Sequence, residues 1–162
     1  GIDCVLRVGV PQDSGMIARR VAMLEEVTLA SPAYIERFGM PDNPDALADD
    51  HRMVGFHSTA TGGLLPLEFT VEGKVRNVTL PATVSMNAAE SYVAAARLGL
   101  GLIQVPRYHA EAALQAGELV EVLPDFPPTP TPVSLLYPTS RQLSPRVRLF
   151  IDWVVRQFGA RA

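Results

Sequence analysis

Short apolar runs of strand length alternate with segments of helical spacing along the whole chain. The clearest case is Thr83 to Tyr108, where a short strand, an Ala-rich helix and the nearly unbroken apolar run Leu100 to Val105 form a βαβ unit. Pro106 ends that run, as expected of a strand buried on both faces. Asn87 is placed to accept from the free N–H groups of Ala89 or Glu90, with Ser85 as an alternative cap and Glu90 completing a variant capping box. Val93, Ala96 and Arg97 carry the helix to Gly99, which suits the left-handed position just past a helix end.

The same reading covers the remaining elements. Ile2 to Gly9 has the look of a strand and Pro11 to Gly15 of a turn. Met16 to Leu24 is ambiguous: Ile17, Val21 and Leu24 obey helical spacing in a segment too short to decide. Glu26 to Ala30 reads as a strand, followed by a helix with Ser31 as N-cap and Pro32 in its first position. Gly39 ends that helix, and Asn43-Pro44 opens another short one through Ala48. Arg52 to Phe56 is strand-like, and His57 to Gly63 is a polar loop. Leu67 to Val71 and Val75 to Leu80 flank Glu72-Gly73-Lys74, a hairpin signal. Pro106 to Ala116 predicts a helix closed by Gly117, and Leu119 to Leu123 and Val133 to Tyr137 predict strands. The tract Pro124 to Pro132 is too proline-dense for a helix or a central strand. Ser144-Pro145 opens the last helix, whose apolar face is Val147, Phe150, Ile151, Val154, Val155 and Phe158. The alternation of strand and helix gives an α/β class.

Composition narrows the function classes. The chain has 162 residues and a net charge of -3, and Lys74 is the sole lysine beside thirteen arginines. No clustered basic face of the kind that nucleic-acid binding needs is visible. Cys4 is the only cysteine, which rules out an internal disulfide and favours a reducing compartment. No secretion leader appears, and no apolar run reaches the ~18 residues of a membrane span. The chain is expected to be cytoplasmic. The strand at the very start suggests a fragment of a longer protein.

Catalytic and metal-binding patterns are sparse. His57-Ser58 lacks a nucleophile elbow, and its plainer reading is a polar loop beside a cleft. His51, His57 and His109 lack metal-ligand spacing, so no metal site is expected. Gly99-Leu100-Gly101 lacks the third glycine of a dinucleotide fingerprint and follows a helix, not a strand. Glu25-Glu26 and Asp49-Asp50 sit at element ends, where solvated or capping roles are the default. No enzyme activity and no cofactor are expected.

Several fragments together resemble the effector-binding, substrate-binding-like domain of LysR-type transcriptional regulators. They include Asp3 to Gly9, Asp13-Ser14-Gly15 with Ala18 to Val21, Ala30 to Tyr34, Gly39-Met40-Pro41 with Pro44 to Leu47, Val84 to Asn87 and Ala94 to Gly101. Leu123 to Phe126, Tyr137-Pro138 and Leu143 to Arg148 complete the set, and the joint order covers essentially the whole chain. The resemblance implies a periplasmic-binding-protein-like (type 2) two-lobed α/β fold with a small effector held between lobes. Lobe I would be residues 1–28 plus 133–162 and incomplete; lobe II would be 29–132, with crossovers near Leu29-Ala30 and Pro132-Val133. It also implies that Ile17 to Val21 is a strand. The family's winged helix-turn-helix is absent here, so DNA would be met only through that missing N-terminal domain. Exposed sheet edges in the partial lobe favour a homo-oligomer such as a dimer.

Ligands of open α/β sheets bind beyond the carboxyl ends of strands. Gly9, Val10 and Ser14 follow the first strand; Phe56, His57 and Ser58 follow another; Asn87, Ala88 and Ala89 form a helix start. Arg7 is a candidate partner for a carboxylate, and the helix start offers N–H groups to an anion. These residues are the expected effector contacts, and the expected effector is an organic anion. The plainer alternative for Arg7 is an ion pair with a surface carboxylate, and for Asn87 a cap alone. A solute-binding protein of a transport system is the alternative function.

Overall fold

A computed structural model describes residues 3–10, 15–58, 62–139 and 144–159. In chain order its elements are strands β1 (Val5–Val8), β2 (Met16–Leu24) and β3 (Glu26–Ala30), helix α1 (Pro32–Phe38), a 3-10 turn (Pro44–Ala46), helix α2 (Leu47–Asp50) and strands β4 (Gly55–Phe56), β5 (Leu67–Val71), β6 (Lys74–Val78) and β7 (Ser85–Met86). Helix α3 (Ala89–Arg97), strand β8 (Ile103–Pro106), helix α4 (Arg107–Gln115), strands β9 (Val120–Glu121) and β10 (Thr131–Pro138) and helix α5 (Pro145–Gly159) follow. The chain divides into two compact units: residues through Leu24 with those from Pro130 onward, and Glu25–Thr129.

The continuous unit is built around β3. It pairs antiparallel with β8, Val27 opposite Val105, and with β9, Leu29 opposite Glu121. Beyond β8, Met53 bridges Leu102 in parallel, and β4 runs parallel to β7. The strand period of two sorts the side chains. Val27, Leu29, Ile103 and Val105 face Tyr92, Val93, Ala95 and Ala96 of α3 and Ala110 and Ala113 of α4. Ala30 and Leu102 join the cluster of Tyr34, Leu47, Met53, Leu67 and Phe69. Leu102, Ile103 and Val105 of the apolar run are thus buried, on both faces of the strand, while Leu100 at its start is exposed. Each fully buried Leu or Ile contributes about 1.5–3 kcal/mol.

Local signals set the element ends. Ser31 Oγ accepts from the Tyr34 N–H at 3.2 Å, and Pro32 takes the first helical position of α1. Asn43 Oδ1 accepts from Asp45 and Ala46 N–H at 2.9 and 3.1 Å. Gly99 closes α3 with φ 76°: its N–H reaches the Ala96 carbonyl and that of Leu100 reaches Ala95, the two bonds of a Schellman stop. The β5–β6 turn places Glu72 and Gly73 at φ 49° and 76°, the left-handed pair of a tight hairpin.

In the discontinuous unit β10 is the central strand. It runs antiparallel to β1, Val5 opposite Leu136, and to β2, Leu24 opposite Thr131, with a register shift at Val133/Ser134. Leu135 packs with Val147, Ile151 and Val154 of α5, and Val21, Tyr137, Val155 and Phe158 border that cluster. Ser144 caps α5, its Oγ 3.4 Å from the Val147 N–H.

One expectation changes. Pro132 belongs to the central strand despite its proline tract, sitting second in β10 opposite Met23 with its carbonyl accepting from Gly9 N–H at 2.9 Å. Near the start of a strand, its missing N–H costs little. Met16 to Leu24 is a strand, which resolves the helical spacing in favour of the family resemblance.

Candidate functional site

The carboxyl ends of β4 and β7 lie side by side. Gly55 is opposite Ser85 and Phe56 opposite Met86, and His57 donates its backbone N–H to the Met86 carbonyl at 2.7 Å. The Val54 N–H reaches Leu102 O at 3.0 Å, so the parallel β8 side joins the same framework. Two glycines permit this closeness. A Cβ on Gly101 would lie 2.6 Å from the Met53 carbonyl carbon, and one on Gly55 would lie 2.8 Å from Leu64 Cδ2. Phe56, His57, Asn87, Ala88 and Ala89 are therefore brought together on one edge.

The Phe56 ring packs on Tyr92 with centroids 5.0 Å apart and planes at 58°. Tyr92 is buried, and its hydroxyl accepts from Gln104 N–H at 3.4 Å. Burial pushes its phenol up to about 12, so it stays protonated. Ser58 leads into a loop closed by hydrogen bonds between Ser58 N–H and Gly63 O and between Gly62 N–H and Ser58 O.

Asn87 does not cap α3. The N-cap is Ala88, with extended backbone at φ -130°, ψ 137° and no side-chain cap bond. The helix starts one residue later than the capping pattern predicts, so Asn87 falls outside it, exposed at the edge. The N-cap residue of this nine-residue helix, Ala88, has no side-chain group to offer its first-turn N–H groups.

The remaining expected contacts lie in the other unit. Arg7 is exposed in β1 opposite Ser134. Gly9 takes φ 96°, which its lack of a Cβ allows, and Val10 is 80 % exposed. Ser14 lies outside the described residues.

Sequence reasoning missed Tyr108 and gave Glu26 and Glu90 only solvated or capping roles. Tyr108, in the first turn of α4, is half exposed, and its phenol is pushed up by burial and then by the Glu26 and Glu90 carboxylates. Glu90 belongs to the first turn of α3 and Glu26 to β3, so both charges act near this edge. Only the position of Tyr108 two residues after a strand end could have singled it out. A separate groove of about 600 Å³ lies at the far end of α3, lined by Ser31, Pro32, Ala33, Ala94, Leu98 and the Arg97–Glu118 ion pair at 2.7 Å. It contains none of the expected contacts. Among the described residues no three His, Cys, Asp or Glu side chains group as metal ligands, and no helix is long and apolar enough to cross a membrane.

The family model for the LysR substrate binding domain matches residues 1–159. An uncharacterised HTH-type transcriptional regulator of Escherichia coli K12, YhjC, is 42 % identical over 156 residues, covering 95 % of this chain and 51 % of that protein. An HTH-type transcriptional repressor of Pseudomonas aeruginosa is 33 % identical over 161 residues, covering 98 % and 50 %. The chain thus spans about half the length of the curated relatives it matches. The regulatory domain of AphB from Vibrio vulnificus is similar at 29 % identity with a TM-score of 0.75, over 96 % of this chain and 75 % of that one.

Proposed function

On the premise that this chain belongs to the LysR substrate-binding domain family, we propose that it senses a small organic anion at the carboxyl edge of β4 and β7. The family settles the class: an effector-binding regulatory domain with a type 2 periplasmic-binding-protein-like fold, in place of a transport solute-binding protein. The chain works within a longer cytoplasmic regulator that oligomerises, meets DNA through an N-terminal domain and performs no catalysis. Its two lobes are placed as the family resemblance implies, residues 1–28 with 133–162 and 29–132, a few residues from the edges of the two compact units.

One observation carries the site. Parallel strand ends meet an α3 start whose N-cap, Ala88, makes no side-chain cap bond, a setting that favours an anionic group. Phe56 supplies an apolar surface beside it, while His57 and Asn87 offer polar atoms. Glu90 in the same turn offsets part of the helix field. The N–H groups of this start, more than net charge, favour the acid. Ser58, Ala88 and Ala89 complete the proposed contact set on this edge. Binding shifts the population of the parent regulator toward its active arrangement.

Titration calorimetry with a panel of small carboxylic acids, their amides and matching amines tests this. We expect heat from one or more acids, none from the amides, and at least about tenfold weaker binding in Asn87→Ala, the loss of one charge-assisted hydrogen bond. Preferential binding of the amines would overturn the anion assignment, and an unchanged affinity in Asn87→Ala would remove Asn87 from the site.

A further inference from the structure

The two connections between the units leave the discontinuous one side by side, because Leu24 ends β2, Thr131 begins β10 and the two are register partners. One residue after that ladder, the first connection is already held by the other unit. Arg107, the first residue of α4, donates its backbone N–H to the Glu25 carbonyl at 2.9 Å and its Nε–H to Glu25 Oε1 at 3.1 Å. A terminal nitrogen of the same guanidinium reaches Glu121 Oε2 on β9 at 2.8 Å. Glu26 then sits opposite Pro106 in the β3–β8 ladder. The second connection is caught at Pro127, whose carbonyl accepts from Thr70 N–H at 3.0 Å. Only Pro128, Thr129 and Pro130 separate that bond from β10, and two of these have a fixed φ.

We propose that Arg107 is a positioning residue that fixes the joint of this fold. By gripping Glu25 directly beyond the β2 ladder, it confines the give of the first connection to the two torsions flanking the rigid Leu24–Glu25 peptide. Without its side chain, the carboxylates of Glu25 and Glu121 lose their shared cation, Glu25 is held by the Arg107 backbone N–H alone, and the play extends toward the start of β3. The inference rests on chain connectivity and holds whatever the effector is.

Hydrogen exchange read by mass spectrometry on this chain tests it, at low salt and at about 1 M NaCl, where screening shortens to about 3 Å. In Arg107→Ala the amides of Met23 to Thr28 are expected to exchange about three to ten times faster, the effect of losing exposed or half-exposed ion pairs. The hairpin of β5 and β6 stays unchanged. The native chain speeds up at the same amides when salt is raised, and Arg107→Ala does not. Glu25→Gln, which alters one exposed carboxylate and leaves the Glu121 contact, gives a smaller rise and carries the test should Arg107→Ala fold poorly. Arg107→Lys keeps the charge but not the planar fork, and stays nearer to Ala than to the native chain. Unchanged exchange in both Arg107→Ala and Glu25→Gln, or an equal rise in the hairpin, would overturn the proposal.

Discussion

Ser31 and Asn87 are both small polar residues before helices, and the structure gives them opposite weights. Ser31 is buried and bonds the Tyr34 N–H, so Ser31→Ala is expected to cost about 1 kcal/mol in urea unfolding. Asn87 makes no cap bond, and Asn87→Ala is expected to change stability by less than about 0.5 kcal/mol. Gln104 has no counterpart in the sequence reading. Its Oε1 accepts from the Glu68 N–H at 2.7 Å, while its Nε2 donates to the Glu68 carbonyl at 2.7 Å and to Thr28 Oγ1 at 2.8 Å. The side chain imitates a strand, tying β5 to the sheet. Gln104→Leu leaves these three groups without their partner and is expected to lower the unfolding free energy by about 3 kcal/mol, the low end for three unmet hydrogen bonds. Ser31 was legible because its partner is three residues away. Gln104 was not, because its partners lie 36 and 76 residues away.

Among the elements, the turn around His51 couples stability to pH. Its ring is buried, its Nδ1 lies 3.0 Å from the Tyr34 hydroxyl, and Tyr34 also accepts from Arg52 N–H at 2.9 Å. Burial pushes the His51 pKa down, partly offset by Asp50. The unfolded chain therefore takes up this proton first as pH falls. Stability at His51 is full above its ordinary value near 6.5 and declines as pH drops below it toward the lowered folded value. Urea midpoints measured from pH 8 to 5 should show this decline, and His51→Gln should flatten it. Most element positions were legible where a local stop exists: Gly99 and Gly117 follow α3 and α4 with φ 76° and 70°. The β2 strand was not, since a helical spacing of three apolar residues cannot show that Leu135 and its neighbours lie alongside. Pro132 misled for the same reason. Strand membership there follows from pairing with β2, not from the residue's own preference. At the candidate site, the glycines and strand ends marked the edge, while Tyr108, Glu26 and Glu90 arrive from separate elements and left no common motif.

For the molecule as a whole, exposed apolar surface is concentrated in the discontinuous unit. Leu6, Val8, Met23, Leu149, Phe150 and Trp153 are each about half exposed or more, and the Phe150 and Trp153 rings lie 6.0 Å apart. Surfaces of this kind drive association. Sedimentation velocity should show association that strengthens with concentration and weakens in Trp153→Lys; a monomer at all concentrations would count against it. The assignment of β10 as the central strand has a further consequence for synthesis on the ribosome. β1 and β2 are made before β10, the described strand that both pair with, which begins at Thr131. The whole continuous unit, Glu25–Thr129, is made in the interval and can form its own ladders. β1 and β2 thus wait for this partner while Glu25–Thr129 is synthesised, a window in which chaperone capture or pairing with a neighbouring nascent chain competes with native closure.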